Sequence, residues 1–113
     1  MKKILLDENL PKQLKGYFSS AFEVTSVPDL GWQSKKNGEL LASMNGLGIH
    51  YLLTADRNLR FQQNLDKFLV IVVVVRAHDI RLKNLTGHVA AIEKRINAAD
   101  DSEKIIEIDL RDF

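Results

Sequence analysis

Short apolar blocks alternate along this chain with stretches in which apolar residues recur every three or four positions. Lys3 to Leu6 is the first block, and it stops at Asp7-Glu8-Asn9. Phe22 to Val27 is the second; Phe22, Val24, Thr25 and Val27 are strand formers by residue type. Tyr51 to Thr54 is the third. The fourth, Phe68 to Val75, holds five consecutive β-branched residues from Ile71 to Val75. A strand without polar alternation is covered on both faces, which predicts a place in the middle of a parallel sheet. Ile105 to Leu110 alternates Ile106 and Ile108 with Glu107 and Asp109, the pattern of a half-exposed edge strand.

Between these blocks the spacing turns helical. Pro11 suits a first helical turn, where its missing N–H costs nothing. Leu10, Leu14 and Tyr17 or Phe18 follow as one stripe, with Gly16 weakening the helix and Ser19-Ser20 ending it. Pro28-Asp29-Leu30-Gly31 is turn chemistry, and the loop runs on to Lys36 with Trp32 packed over it. Asn37 is the expected N-cap of a helix with Leu40, Leu41, Met44 and Leu47 on one face, Glu39 in its first turn, and Gly46 and Gly48 at its end. Asp56 is the expected cap of a helix holding Leu59 and Leu65. Leu82, Leu85, Val89, Ile92 and Ile96 predict one long amphipathic helix. Strands alternating with helices predict a single α/β domain over residues 1–113, a three-layer α/β/α fold around a mainly parallel five-stranded sheet with right-handed crossovers.

Composition narrows the picture mostly by exclusion. The 113 residues are 45% hydrophobic and 27% charged, enough for one proper core. A formal net charge of +1 gives no global attraction to nucleic acid, so any such role rests on local charge. Arg76, Arg81 and Lys83 form a basic cluster, whereas Asp100 to Asp112 is mostly acidic. The absence of cysteine excludes disulfides and thiolate metal sites. Met1-Lys2-Lys3 enters the first block without a signal-peptide pattern, and Phe68 to Val75 is too short to span a bilayer. A cytoplasmic protein with no membrane attachment is expected.

In an open α/β sheet, ligands bind beyond the carboxyl ends of the strands where strand order reverses. Asp7 follows the first strand, Asp56 follows the third, and Glu39 opens a helix that starts at the same edge. Three acids from separate parts of the chain are thereby expected on one rim. Two carboxylates ~5 Å apart at an effective dielectric of ~20 repel by about 3 kcal/mol, so a cluster of three calls for a proton or a cation. All-oxygen ligands favour Mg²⁺ or Mn²⁺ over zinc. Such an ion suits phosphodiester hydrolysis. At each position a structural role competes: Asp7 with Asn9 as a helix cap, Glu39 as a partner of a helix dipole, Asp56 as an N-cap, Thr54 as a partner for strand-end backbone groups. Asn58 alone reads as a solvated first-turn residue. His50, His78 and His88 lack metal-ligand spacing and read as surface or boundary residues.

Three segments together resemble a known family. Leu5-Leu6-Asp7-Glu8-Asn9-Leu10-Pro11, then Gly31-Trp32 through Lys36-Asn37-Gly38-Glu39-Leu40-Leu41, then Thr54-Ala55-Asp56-Arg57-Asn58-Leu59-Arg60-Phe61-Gln62-Gln63-Asn64-Leu65 are similar, in that order, to the motifs of the short PIN-like proteins. These are relatives of the ribonuclease toxins of toxin–antitoxin pairs. The resemblance covers roughly residues 3–76 and implies a PIN-like fold and a Mg²⁺- or Mn²⁺-dependent endoribonuclease. It makes Asp7, Glu39 and Asp56 the catalytic, metal-binding acids, with Thr54 supporting them. Arg57, Arg60, Gln62 and Gln63 would line the rim and contact RNA. Many relatives carry a further acid where this chain has Asn58, which offers a carbonyl without charge. A small antitoxin and a second copy of the chain are the partners that the resemblance implies.

Two other readings stay open. One is a PIN-like module of weak or no catalytic activity that acts by binding protein or RNA. The other is a phosphoacceptor receiver domain, whose acidic pair Asp7-Glu8 resembles. A receiver also needs a lysine after its last strand, where this chain has Asp109 and Arg111.

Overall fold

The computed structural model describes residues 1–58 and 65–111. The strands are β1 (Lys2–Leu6), β2 (Phe22–Ser26), β3 (Tyr51–Thr54), β4 (Ile71–Arg76) and β5 (Ile105–Asp109). The α-helices among the described residues are α1 (Asn37–Leu47), α2 (Leu82–Leu85) and α3 (Val89–Ala98), joined by short 3-10 turns at Lys12–Tyr17, Leu65–Lys67 and Thr86–His88. All strands are parallel, in the order β2-β1-β3-β4-β5. The expected five-stranded α/β sheet is therefore present, and it is fully rather than mainly parallel. Ile71 to Val75 are all buried in β4, which lies between β3 and β5. β5 is the edge strand that its alternation predicts, with Ile106 and Ile108 buried and Glu107 and Asp109 exposed.

Strand periodicity of two divides the core into layers. On one face Ile4, Leu6, Leu53, Val73, Val75, Ile106 and Ile108 pack with Leu14, Leu85, Val89, Ile92 and Ile96. On the other, Leu5, Leu52, Val72 and Val74 pack with Leu40, Leu41 and Met44 of α1 and with Leu65 and Val70. The crossover through α1 and the α2–α3 crossover both carry the chain in the same direction across the sheet, but over opposite faces. They therefore have opposite hands, so the rule of uniformly right-handed crossovers does not hold throughout this sheet. Its consequence is that α2, α3 and the 3-10 turn after β1 share one layer.

Several helical expectations change in detail. The helix after Pro11 is a six-residue 3-10 turn, with Leu14 N–H donating to the Pro11 carbonyl at 3.1 Å. So short a piece gains little from α geometry, and the tighter turn already buries Leu10 and Leu14. The helix from Leu82 to Ile96 is interrupted at Thr86–His88. There the Thr86 hydroxyl donates back to the Lys83 carbonyl at 3.3 Å, and Gly87 has poor helix propensity. Lys36, not Asn37, occupies the N-cap position of α1, and Leu47 is 53% exposed rather than on the buried face. Gly48 ends α1 at φ 70°, a left-handed conformation that costs glycine nothing. Trp32 is half-buried against the α1 layer, with the Lys35 ammonium 5.7 Å from its ring centre. Most of the helix expected after Asp56, Leu59 included, lies outside the described residues. Among the described residues no helix is long and apolar enough to cross a membrane.

Candidate functional site

Strand order reverses between β1 and β3. The chain leaves β1 toward β2 on one side, and leaves β3 toward β4 on the other. This is the crevice position in a parallel sheet. Backbone pairing continues into it: Asp7 N–H donates to the Leu53 carbonyl at 2.9 Å, and Val27 N–H donates to the Leu6 carbonyl at 3.0 Å. The end of β1 is held from both sides, so Asp7 leaves the sheet from a fixed backbone.

One buried hydroxyl ties the two strand ends together. Thr54, the last residue of β3, is 0% exposed. Its Oγ1 donates to Asp7 Oδ2 at 2.7 Å and accepts from Asn9 Nδ2 at 3.1 Å and from Asp56 N–H at 3.0 Å. Every hydrogen-bonding capacity of the hydroxyl is thereby used. Asn9 closes the loop from its other end, its Oδ1 accepting from Ala55 N–H at 3.1 Å. Asp7 Oδ1 accepts from Glu8 N–H at 2.8 Å, and Asp56 Oδ1 accepts from Asn58 N–H at 2.9 Å. Asp7 and Asp56 are both half-buried. A carboxylate oxygen accepts more than one bond, so each acid keeps acceptor capacity toward a ligand.

The expected residues thus separate. Asp7, Thr54, Asp56 and the backbone of Asn58 belong to one network. Arg57 is exposed directly beside it. Glu39 sits in the first turn of α1, exposed, and nothing described ties it to Asp7 or Asp56. Among the described residues no three His, Cys, Asp or Glu side chains come together as a metal-holding group. Arg60, Gln62 and Gln63 lie outside the described residues. Asn9 is the residue whose role the sequence left hidden. It reads as a helix cap, yet its side chain bridges two strand ends, and only its place two residues after Asp7 hints at this.

The donor set fits a hard cation in part. The two carboxylates offer oxygen ligands, the Thr54 hydroxyl being already saturated, and the network holds no thiolate and no histidine. Mg²⁺ keeps several waters and takes one or two carboxylates together with substrate phosphate, which two acids satisfy. Zinc, which favours nitrogen and sulfur ligands, is not matched.

Two members of the basic cluster expected from Arg76, Arg81 and Lys83 are taken up in ion pairs. Arg76 Nη1 donates to Glu107 Oε1 at 2.9 Å. Arg81 grips Asp79, whose carboxyl it pulls down to about 2. Arg111 likewise holds the Asp109 carboxyl well below the usual carboxylate range. No family model matches this chain, and no curated protein or solved structure is significantly similar to it.

Proposed function

We propose that the β1–β3 junction is the active centre of a Mg²⁺- or Mn²⁺-dependent ribonuclease of the PIN-like kind that the three sequence motifs resemble. The observation that carries this reading is the Thr54 hydroxyl, which ties Asp7 to the backbone of Asp56 at the point where strand order reverses. When bound, a hard divalent cation supplies charge neutralisation, orientation of the phosphodiester and a more acidic water. The chain supplies the rest. Thr54 fixes the rotamer of Asp7 by holding Oδ2, and Asn9 fixes Thr54 and the Ala55 backbone in turn. Asp56 is set by its bond to Asn58 N–H. Pre-set carboxylates need no reorganisation when charge develops on the substrate, which is where such sites gain most. Arg57, beside Asp56, adds a cation for the RNA backbone.

A second reading is favoured by Glu39 standing apart and by Asn58 in place of an acid. It is a module of weak or no catalytic activity that binds RNA or protein. Incubation of single-stranded RNA with Mg²⁺ or Mn²⁺ and with the Asp7→Asn and Asp56→Asn proteins separates the two. Cleavage that EDTA abolishes and that both substitutions reduce by about a hundredfold, or about 2.7 kcal/mol of barrier, is expected. Cleavage that persists in both variants sinks the assignment, and an inert wild-type protein that still binds RNA establishes the module. The toxin role would be supported by a small protein that binds this chain and blocks cleavage.

A further inference from the structure

The same edge of the sheet has a second feature beyond β3. A cavity of about 500 Å³ opens at the carboxyl ends of β3, β4 and β5, bordered by Arg57, Arg76, His78 and Arg111 over the apolar side chains of Val75 and Ile80. Three arginines line this one cavity, one following β3, one ending β4 and one following β5. Two of them are held by carboxylates of β5. Arg76 Nη1 donates to Glu107, while Arg111 donates through Nε and Nη2 to Asp109 at 2.8 and 2.6 Å. These pairs orient the guanidinium planes without cancelling the positive excess that Arg57 adds.

Arg76 carries the most telling detail. Its Nε is buried and has no hydrogen-bond partner among the described residues. A buried donor on a charged group costs free energy when it is left unmet, so a shift of the Arg76 side chain toward an acceptor in the cavity would relieve that cost. Guanidinium forks match phosphate oxygens in pairs, and an apolar floor beneath them suits the face of a sugar or base.

The cavity adjoins the acid junction. Ala55 borders it, and Ala55 N–H is held by the same Asn9 that holds Thr54. A nucleic-acid strand lying along the carboxyl edge would meet the acids at β1 and β3 first and the arginines at β4 and β5 next.

We propose that this cavity is a phosphate subsite, which grips a backbone phosphate of single-stranded RNA flanking the bond presented to Asp7 and Asp56. The proposal rests on the ribonuclease reading for the identity of the strand, and it deepens that reading by assigning Arg76 and Arg111 a place in substrate binding.

The test uses the full chain with Arg57→Gln and Arg111→Gln, exposed positions where folding is checked by thermal melting. Anisotropy of a labelled single-stranded oligoribonucleotide is read in EDTA over a range of salt. Each substitution is expected to weaken binding roughly tenfold and to reduce the salt slope by about 0.7, the share of one phosphate contact on a single strand. Inorganic phosphate is expected to shift the amide resonances of Ala77, His78 and Arg111, and in cleavage the loss is expected in KM rather than kcat. Unchanged slopes in both variants, with cleavage at wild-type KM, overturn the subsite and leave the ribonuclease reading standing. Weakened binding in both variants, with no cleavage by the wild type, overturns the ribonuclease reading and supports the subsite. A mononucleotide that shifts those resonances while the oligoribonucleotide does not overturns the subsite in favour of a small phosphate ester.

Discussion

Acids at the two sides of the sheet's carboxyl edge are bonded in different ways. Asp79 and Asp109 each bond an arginine two residues further on, in exposed pairs. At the opposite edge, in the turn before β5, Asp100 likewise makes a local bond, to the Ser102 backbone. Asp7, by contrast, is bonded to Thr54 across 47 residues of sequence, and Asn9 reaches Thr54 across 45. A local pair needs only a short turn, and when exposed it contributes little to stability. A bond across the sheet exists only when the fold is complete, and it fixes a carboxylate against a rigid strand end. The difference sets Asp7 apart, and Asp56, whose carboxylate makes the local bond to Asn58, joins the same junction through its backbone N–H to Thr54.

The largest expected effect comes from removing the hub. Thr54→Val leaves Asp7 Oδ2, Asn9 Nδ2 and Asp56 N–H without their shared partner. Unmet buried polar groups cost about 1–3 kcal/mol each, and solvent reaches part of this site, so a loss of about 3 kcal/mol in urea unfolding is expected. Thr54→Ser keeps the hydroxyl and should lose less than about 1.5 kcal/mol. Equal losses in the two variants would mean that packing, not the hydroxyl, holds the junction.

Next in size is Asp7→Asn, for which RNA cleavage should fall by about a hundredfold, equivalent to about 2.7 kcal/mol of barrier. Glu39→Gln should cost no more than about threefold in cleavage, or about 0.7 kcal/mol, because Glu39 stands outside the network. A hundredfold loss there would erase the distinction between networked and solitary acids.

Much of the architecture was legible in the sequence, because side-chain periodicity reports directly on which faces are buried. The unbroken run Ile71 to Val75 announced an internal parallel strand, and the alternation from Ile105 announced an edge. Asp7 and Asp56 were legible as acids at strand ends. What escaped depends on distances that periodicity does not carry. Glu39 shares a helix start with the expected rim, but the loop through Trp32 and Lys36 sets where that helix begins. Asn9 was hidden because a cap and a bridge look alike in sequence. The break at Thr86–His88 was hidden because its apolar stripe continues in register on both sides. The crossover of opposite hand leaves no mark on hydrophobic spacing at all.

The smallest expected effect concerns the local pairs. Arg81 holds the Asp79 carboxyl down to about 2, against an ordinary value of 3.8. A depressed carboxylate contributes stability that is present above its unfolded value and is lost as pH falls through its folded value. The gap in urea midpoint between the wild type and Arg81→Ala should thus be small near neutrality and close as pH drops from about 4 to 2. A gap that stays constant across that window would show that Arg81 acts by packing rather than by charge.

The central claim is that Asp7 and Asp56 form a cation site through the Thr54 network. Titration of the protein with Mn²⁺ while observing amide resonances tests it most directly, since paramagnetic broadening marks nearby residues. Broadening confined to the amides of Asp7 to Asn9 and Thr54 to Asn58, and abolished by Asp7→Asn, is the predicted result. Broadening centred on Asp100 to Glu103, or none with millimolar metal, would contradict it.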